Sequence, residues 1–412
     1  MREMKDSGIE WIGAIPNHWR VSKIKQIVRW KSVKGQPDLP VLSLYRDYGV
    51  IPKDSRDDNH NVTSLDTSGY KVVEHGDLVI NKMKAWQGSL AVSEYNGIVS
   101  PAYHICKITS ENICKKYLHY LLRDASYLPE YMRLSTGLRV GQWDLSFDDF
   151  KNIPFLAPPL AEQERIAAFL DAGCSEIDAV LEKTRASIEE YKKLKQAVIT
   201  QAVTKGIRGN RPMKDSGIEW IGEIPAEWGV APHKRIMHKV KEICEQYNGE
   251  DVISLTVNGV IKRDLTAGGK MPTSFDGYQY VEPNDLLLCL FDIDVTPRCV
   301  GVVRDYGVTS PAYSRFVMHD GYYNAYYDYL LRMIDDNKVF VHLSKNLRSS
   351  LTESDFGAIK TCAPPLAEQK CIAAFLDVRC DEIDALILIK ILWLISAKKR
   401  AYLVNSSPVK QN

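Results

Sequence analysis

Residues 4–19 read MKDSGIEWIGAIPNHW, and residues 213–228 read MKDSGIEWIGEIPAEW; thirteen of the sixteen positions are identical at an offset of 209. A second pair is as clear. Residues 158–180 read PPLAEQERIAAFLDAGCSEIDAV, and residues 364–386 read PPLAEQKCIAAFLDVRCDEIDAL, at an offset of 206. Between them lie weaker echoes: SPAY at Ser100–Tyr103 and Ser310–Tyr313, and GDLVI at Gly76–Ile80 against NDLLL at Asn284–Leu288. A fixed offset of this kind marks a duplicated unit and decides the fold before any local pattern does. The chain is two copies of a unit of about 205 residues. The ends of each unit are nearly identical, whereas the middles, 20–157 and 229–363, share only a skeleton. The similar parts do one job twice; the divergent middles do a similar job on different targets.

Working outward, the 412 residues hold enough chain for two or three domains. Hydrophobic residues at 45% and charged residues at 25% describe a globular protein. The net charge is +1, which excludes a chain that binds nucleic acid by bulk charge alone. The strongest apolar run, Leu386–Ile395, is about half the roughly 20 residues a membrane-spanning helix needs, and it contains Lys390. The N-terminus has no apolar signal core, so a cytoplasmic location is expected. Nine cysteines lie scattered without a Cys-x-x-Cys, which predicts reduced thiols and no zinc site.

Each middle carries short apolar runs bounded by Gly, Pro and Asp. VLSLY (41–45), DLVIN (77–81), VISLT (252–256) and DLLLCLF (285–291) read as strands. Residues 115–132 and 324–337 have three- and four-residue apolar spacing and read as helices. The segment after each middle differs. A helix starts just after Pro158-Pro159, with Glu162 in its first turn, where a negative charge suits the helix dipole. Its stripe runs through Ile177, Val180 or Leu181, Ile188, Tyr191, Leu194, Val198 and Ala202, close to a heptad seam. Ala172-Gly173 is an expected weak point, and Gly206 an expected C-cap. One such helix cannot bury its own stripe, and the second copy supplies an antiparallel partner. That second helix reaches about Leu403, but over Leu386–Ile395 it is apolar nearly all round, unlike the first. The expected division is therefore 1–157 (repeat segment and first middle), 158–206 (central helix), 207–363 (second repeat segment and middle) and 364–412 (C-terminal helix). The fold class is α/β: two mixed α/β domains separated by two long antiparallel helices, related by an internal pseudo-twofold repeat.

Together these strings resemble the specificity subunit of Type I restriction-modification systems, over the whole chain. The resemblance implies that each middle is a target recognition domain and that the conserved helices are spacers. It implies a noncatalytic DNA-binding subunit reading a bipartite target in double-stranded DNA. It further implies that two adenine methyltransferase (modification) subunits, with restriction subunits, assemble on it. S-adenosylmethionine, ATP and Mg are then expected on those partners and no cofactor on this chain. The alternatives are a DNA-acting enzyme in its own right and a coiled-coil scaffold. Against the enzyme, Gly-Gly-Lys at 268–270 lacks P-loop spacing, no Gly-x-Ser-x-Gly elbow occurs, and APPL (157–160, 363–366) lacks the polar and aromatic members of an adenine-methyltransferase tetrapeptide.

Base reading needs Arg or Lys for guanine and Asn or Gln for adenine, with phosphate contacts to hold the register. In the first middle, NKMKAWQG (81–88) offers Lys82, Lys84, Trp86 and Gln87. MRLSTGLRVGQW (132–143) is basic and free of acid, and offers Arg133, Arg139 and Gln142. The bland readings are a polar hairpin with Trp86 packed inward and a solvated loop. In the second middle, HLSKNLRSSL (342–351) offers Lys345, Asn346 and Arg348, the last matching Arg139 at an offset of 209. Arg298 in TPR (296–298) and the IKRD at 261–264 are weaker candidates. SPAY, Trp11, Trp19, Trp220 and Trp228 are expected to pack rather than to read.

Overall fold

The computed structural model describes residues 3–46, 48–55, 66–137, 143–257, 259–266, 272–296, 298–344 and 349–404, with side chains to 397. It divides into two units: 1–183 with 392–412, and 184–391.

In the first unit a four-stranded antiparallel sheet is built from β1 (Val28–Lys31), β2 (Asp77–Asn81), β3 (Leu90–Val92) and β4 (Tyr103–Ile108), in the order β1-β4-β2-β3. The strand β2 is buried at every position, DLVIN. That is why it reads as a continuous apolar run and not as an alternation: both faces of the sheet are covered. Leu78, Ile80 and Cys106 face one core with Leu118, Leu122, Tyr127, Tyr131 and Phe150. Val79 and Ile105 face the other with Leu42, Leu44, Val50, Val73 and Val99. Each fully buried side chain of this kind contributes about 1.5–3 kcal/mol. Helices α1 (Lys115–Arg123), α2 (Leu128–Leu134) and α3 (Phe147–Phe150) follow. The single helix expected over 115–132 is thus two. Asp124 leaves the helical region at ψ 140 and its side chain accepts from the Ser126 amide, which starts a separate turn. Pro129 then sits in the first turn of α2, where its missing N–H costs nothing.

The long helix α4 spans Leu160–Lys205 and continues through Ala172-Gly173. It ends at Gly206, whose φ of +75° is the left-handed cap conformation that glycine adopts most readily.

The second unit repeats the plan. β5 (Met237–Val240), β6 (Leu286–Leu288), β7 (Val300–Val302) and β8 (Ser314–Met318) form a sheet of order β5-β8-β6-β7, antiparallel like the first. The ladder of β6 is shorter than the run 285–291 from which it was expected. Helices α5 (Asn324–Asp336), α6 (Val339–Leu343), α7 (Glu353–Ala358) and α8 (Leu366–Val404) complete it. Its core takes in the last turns of α4 (Ile199, Ala202, Val203) and the first of α8 (Ile372, Ala373, Leu376, Cys380). Within this unit α4 and α8 run antiparallel. Lys195 pairs with Asp384 at 2.6 Å, and the Lys390 ammonium lies 5.6 Å from the Tyr191 ring centre. No helix among the described residues is long and apolar enough to cross a membrane.

Candidate nucleic-acid interface

Two stretches far apart in the first middle come together. The strip after β2 turns through Ala85–Gln87 and ends at Gly88, with φ +81°. That positive φ is what favours glycine here; a Cβ would meet only the end of the Leu128 side chain, Cδ2 at 2.8 Å. The Leu145 amide donates to the Lys82 carbonyl at 3.0 Å, and the Lys82 ammonium donates to Asp144 at 2.7 Å. Trp86 meets Trp143 edge-on, with ring centres 5.2 Å apart. Lys82, Trp86 and Gln87 are half-buried, while Met83 and Lys84 are exposed. Beside them, Trp30 on β1, 57% exposed, stacks on Phe147 at 5.7 Å and meets His104 edge-on. A His104 ring nitrogen contacts the Leu145 carbonyl at 3.2 Å, and burial holds that imidazole below its usual pKa.

Arg133 sits in the last turn of α2 with its guanidinium bidentate on Glu130, at 2.8 and 2.7 Å. Arg139 and Gln142 lie outside the described residues, as do Lys345, Asn346 and Arg348. The described flanks refine how they correspond. The two copies are offset by 209 at Tyr117 and Tyr326 and by 206 at Leu145 and Leu351. Counted back from the exit, Arg139 matches Lys345; counted forward, it matches Arg348. Both are basic.

Arg298 holds backbone. It donates to the Val300 carbonyl at 2.9 Å and to the Val257 carbonyl at 3.4 Å, and burial lowers its pKa. Arg123 does the same in the first unit, donating to the Arg46 carbonyl at 2.6 Å. Each arginine grips the tip of the matching hairpin, Leu42–Pro52 or Ile253–Lys262. In IKRD, Lys262 pairs with Asp251 at 2.6 Å.

The repeated strings have a structural cause that the sequence did not disclose. The Glu of each PPLAEQ accepts the indole N–H of the repeated tryptophan, Trp19 to Glu162 at 3.2 Å and Trp228 to Glu368 at 2.8 Å. The Gln clamps the helix start to the domain. Gln163 accepts from the Cys114 amide and donates to the Pro158 carbonyl. Gln369 accepts from the Tyr323 amide and donates to the Pro364 carbonyl. About two turns further on, Tyr120 donates to Asp171 and Tyr329 to Asp377. The only signal of these roles was the recurrence itself. As expected, Trp11 packs edge-on against Tyr127. Each SPAY serine caps its own turn by accepting from the amide two residues on.

The same helices leave apolar side chains in solvent: Phe169 at 75%, with Ile177 and Val180, on α4, and Phe375, Val378, Leu388, Ile389, Leu392 and Trp393 on α8. Among the described residues no three His, Cys, Asp or Glu gather to hold a metal ion.

Residues 16–190 match the family model described as the Type I restriction modification DNA specificity domain. The chain is 23% identical over 407 residues to the putative type I restriction enzyme MjaX specificity subunit of Methanocaldococcus jannaschii, covering 92% of this chain and 90% of that one. It is 25% identical over 244 residues to the MjaVIII specificity subunit of the same organism, 56% of this chain and 53% of the relative. Among solved structures, it is similar to a chain described under the assembly and conformational transition of the type I R-M system. The TM-score is 0.66 at 14% identity, over 95% of this chain and 97% of that one. It is also similar to the HsdS subunit from Thermoanaerobacter tengcongensis, with a TM-score of 0.50 at 15% identity over 95% of each chain.

Proposed function

We propose that the chain is a type I restriction-modification specificity subunit and that each of its units reads one half of a bipartite DNA target. The chain is the recognition subunit and performs no chemistry itself. The observation that carries the bipartite reading is the contrast within each unit. The Trp–Glu, Gln and Tyr–Asp contacts that dock the long helices are the same in both copies, while the surfaces around Lys82–Gln87 and Leu290–Ile293 differ. A shared mount with two different reading surfaces suits two different half-sites.

In this reading Lys84, Trp86 and Gln87 contact DNA, with Lys82 held ready by Asp144. Arg139, Gln142, Lys345, Asn346 and Arg348 supply the groove or phosphate contacts. Arg133 reaches phosphate while held by Glu130, and Arg298 acts by holding a hairpin. Two adenine methyltransferase subunits dock on the exposed apolar positions of the repeated helices, Phe169 and Phe375 among them, and restriction subunits join that assembly. S-adenosylmethionine, ATP and Mg belong to those partners.

The experiment is to co-express the chain with its cognate methyltransferase subunits and map methylated adenines genome-wide. A motif of two short specified blocks separated by an unread gap supports the reading. A single contiguous motif, or S-adenosylmethionine binding by the chain alone, overturns it.

A further inference from the structure

The strip that leaves the candidate reading surface is anchored by three contacts in each unit. The first is a backbone hydrogen bond: Leu145 donates to the Lys82 carbonyl at 3.0 Å, and Leu351 to the Leu290 carbonyl at 2.9 Å. The second is a helix cap. Ser146 Oγ accepts from the Asp149 amide and Thr352 Oγ1 from the Asp355 amide, each at 3.1 Å. The third joins the first helical residue to the edge strand of the sheet. In the first unit Phe147 stacks on Trp30, with ring planes 29° apart. In the second, Glu353 pairs with Lys239 at 3.2 Å.

These third contacts occupy one place in the fold. Trp30 faces Cys106 across the ladder, and Lys239 faces Phe316, the matching residue. Phe147 and Glu353 each follow the capping residue directly. Both members of the pair have changed together, from aromatic stacking to an ion pair, and contact is retained. Core packing does not account for the exchange at Trp30, which is largely exposed, or at Glu353, which lies at the surface; of the first pair only Phe147 also packs against the core. An exposed ion pair also adds little to stability. What the two chemistries share is the place they bridge: each joins the edge strand to the first residue of the short helix.

From this exchange we infer that Trp30–Phe147 and Lys239–Glu353 are equivalent positioning contacts for DNA reading; the inference rests on the function proposed above. Each sets where the exit strip lies against the strip after the central strand. In the first unit that is Trp143 and Asp144 against Trp86 and Lys82. In the second it is Ser349, whose carbonyl accepts from the Ile293 amide at 3.1 Å. Neither pair touches a base; each acts through the strip it anchors.

The test uses the full chain assembled with its methyltransferase subunits, read by methylated-motif mapping and by competition binding with either half-site altered. Phe147→Glu alone is expected to lower discrimination at one half-site by about tenfold, the size of one lost base contact, with the other half-site unchanged. Adding Trp30→Lys restores it, because the ion pair of the second unit is then rebuilt in the first. Lys239→Ala lowers discrimination at the other half-site, and at an exposed pair this cannot come from unfolding. A double variant no better than Phe147→Glu, or equal loss at both half-sites from either unit, overturns the inference. A wild-type complex with no sequence preference overturns instead the reading on which it rests.

Discussion

Trp228 donates its indole N–H to the Glu368 carboxylate at 2.8 Å, across 140 residues of sequence, with both side chains buried. Arg211 donates to the other oxygen of Glu368 at 2.6 Å, and its guanidinium lies 5.2 Å from the Trp228 ring centre. Glu368→Ala therefore strands a buried indole N–H and leaves Arg211 with only its second carboxylate partner, Glu227 at 3.1 Å. The expected cost is about 3 kcal/mol, the low end for breaking a buried pair from one side, because Glu227 still pairs with Arg211. Trp228→Phe, which loses one hydrogen bond to a charged acceptor, should cost about 1.5–3 kcal/mol. Urea unfolding of the two variants measures both, and equal costs would show that Arg211 contributes nothing.

A second expectation concerns pH. His233 is fully buried against Phe356 where the first unit has the buried Ile24, and burial pushes its imidazole down to about 3. Its folded pKa therefore lies below the unfolded value of about 6.5, so below that pH the unfolded chain binds the extra proton. Its contribution to stability is complete above about pH 6.5. It is lost at about 1.4 kcal/mol per unit as pH falls, levelling near pH 3. His233→Ile should remove this slope. The check is the difference in unfolding free energy between variant and wild type at pH 5 and pH 8, which should be larger at pH 5.

Arg139→Ala and Arg348→Ala should each weaken DNA binding through one half-site. A lost bidentate base contact costs about 1–3 kcal/mol and relaxes specificity at one position. A lost phosphate contact weakens all sequences alike and lowers the salt slope by about one. Titrations at several salt concentrations separate these outcomes, and unchanged affinity in both variants removes these residues from the reading surface.

Phe169→Asp and Phe375→Asp should leave the chain folded, since exposed substitutions usually fall within about 0.5 kcal/mol. Adenine methylation in cells should nevertheless drop, because an apolar docking position becomes charged. Co-purification of the methyltransferase subunit with each variant is the direct measurement. Full recovery would show that docking uses another face.

The duplication, the bounds of α4 to within a residue, its cap at Gly206 and the antiparallel helix pair were all legible in the residues. Each depends on periodicity, on a repeat offset or on a local backbone requirement, and these are properties of neighbours along the chain. The break at Asp124 was legible too, since a capping residue followed by Pro129 marks a new helix start, but a continuous apolar spacing masked it. Glu162 read correctly as a first-turn acid, yet its partner Trp19 did not show. Nor did the shared task of Arg123 and Arg298, which hold matching hairpin tips from unmatched places in the sequence.

By itself the sequence determined that this is a duplicated unit with nearly identical ends and divergent middles. Only the tertiary structure decided which residues make the mount. Trp30 with Phe147, and Lys239 with Glu353, look unrelated as residue types. What they have in common is only the place each pair bridges, a sheet edge and a helix start. Distances between segments more than a hundred residues apart are set by packing, and no local pattern records them.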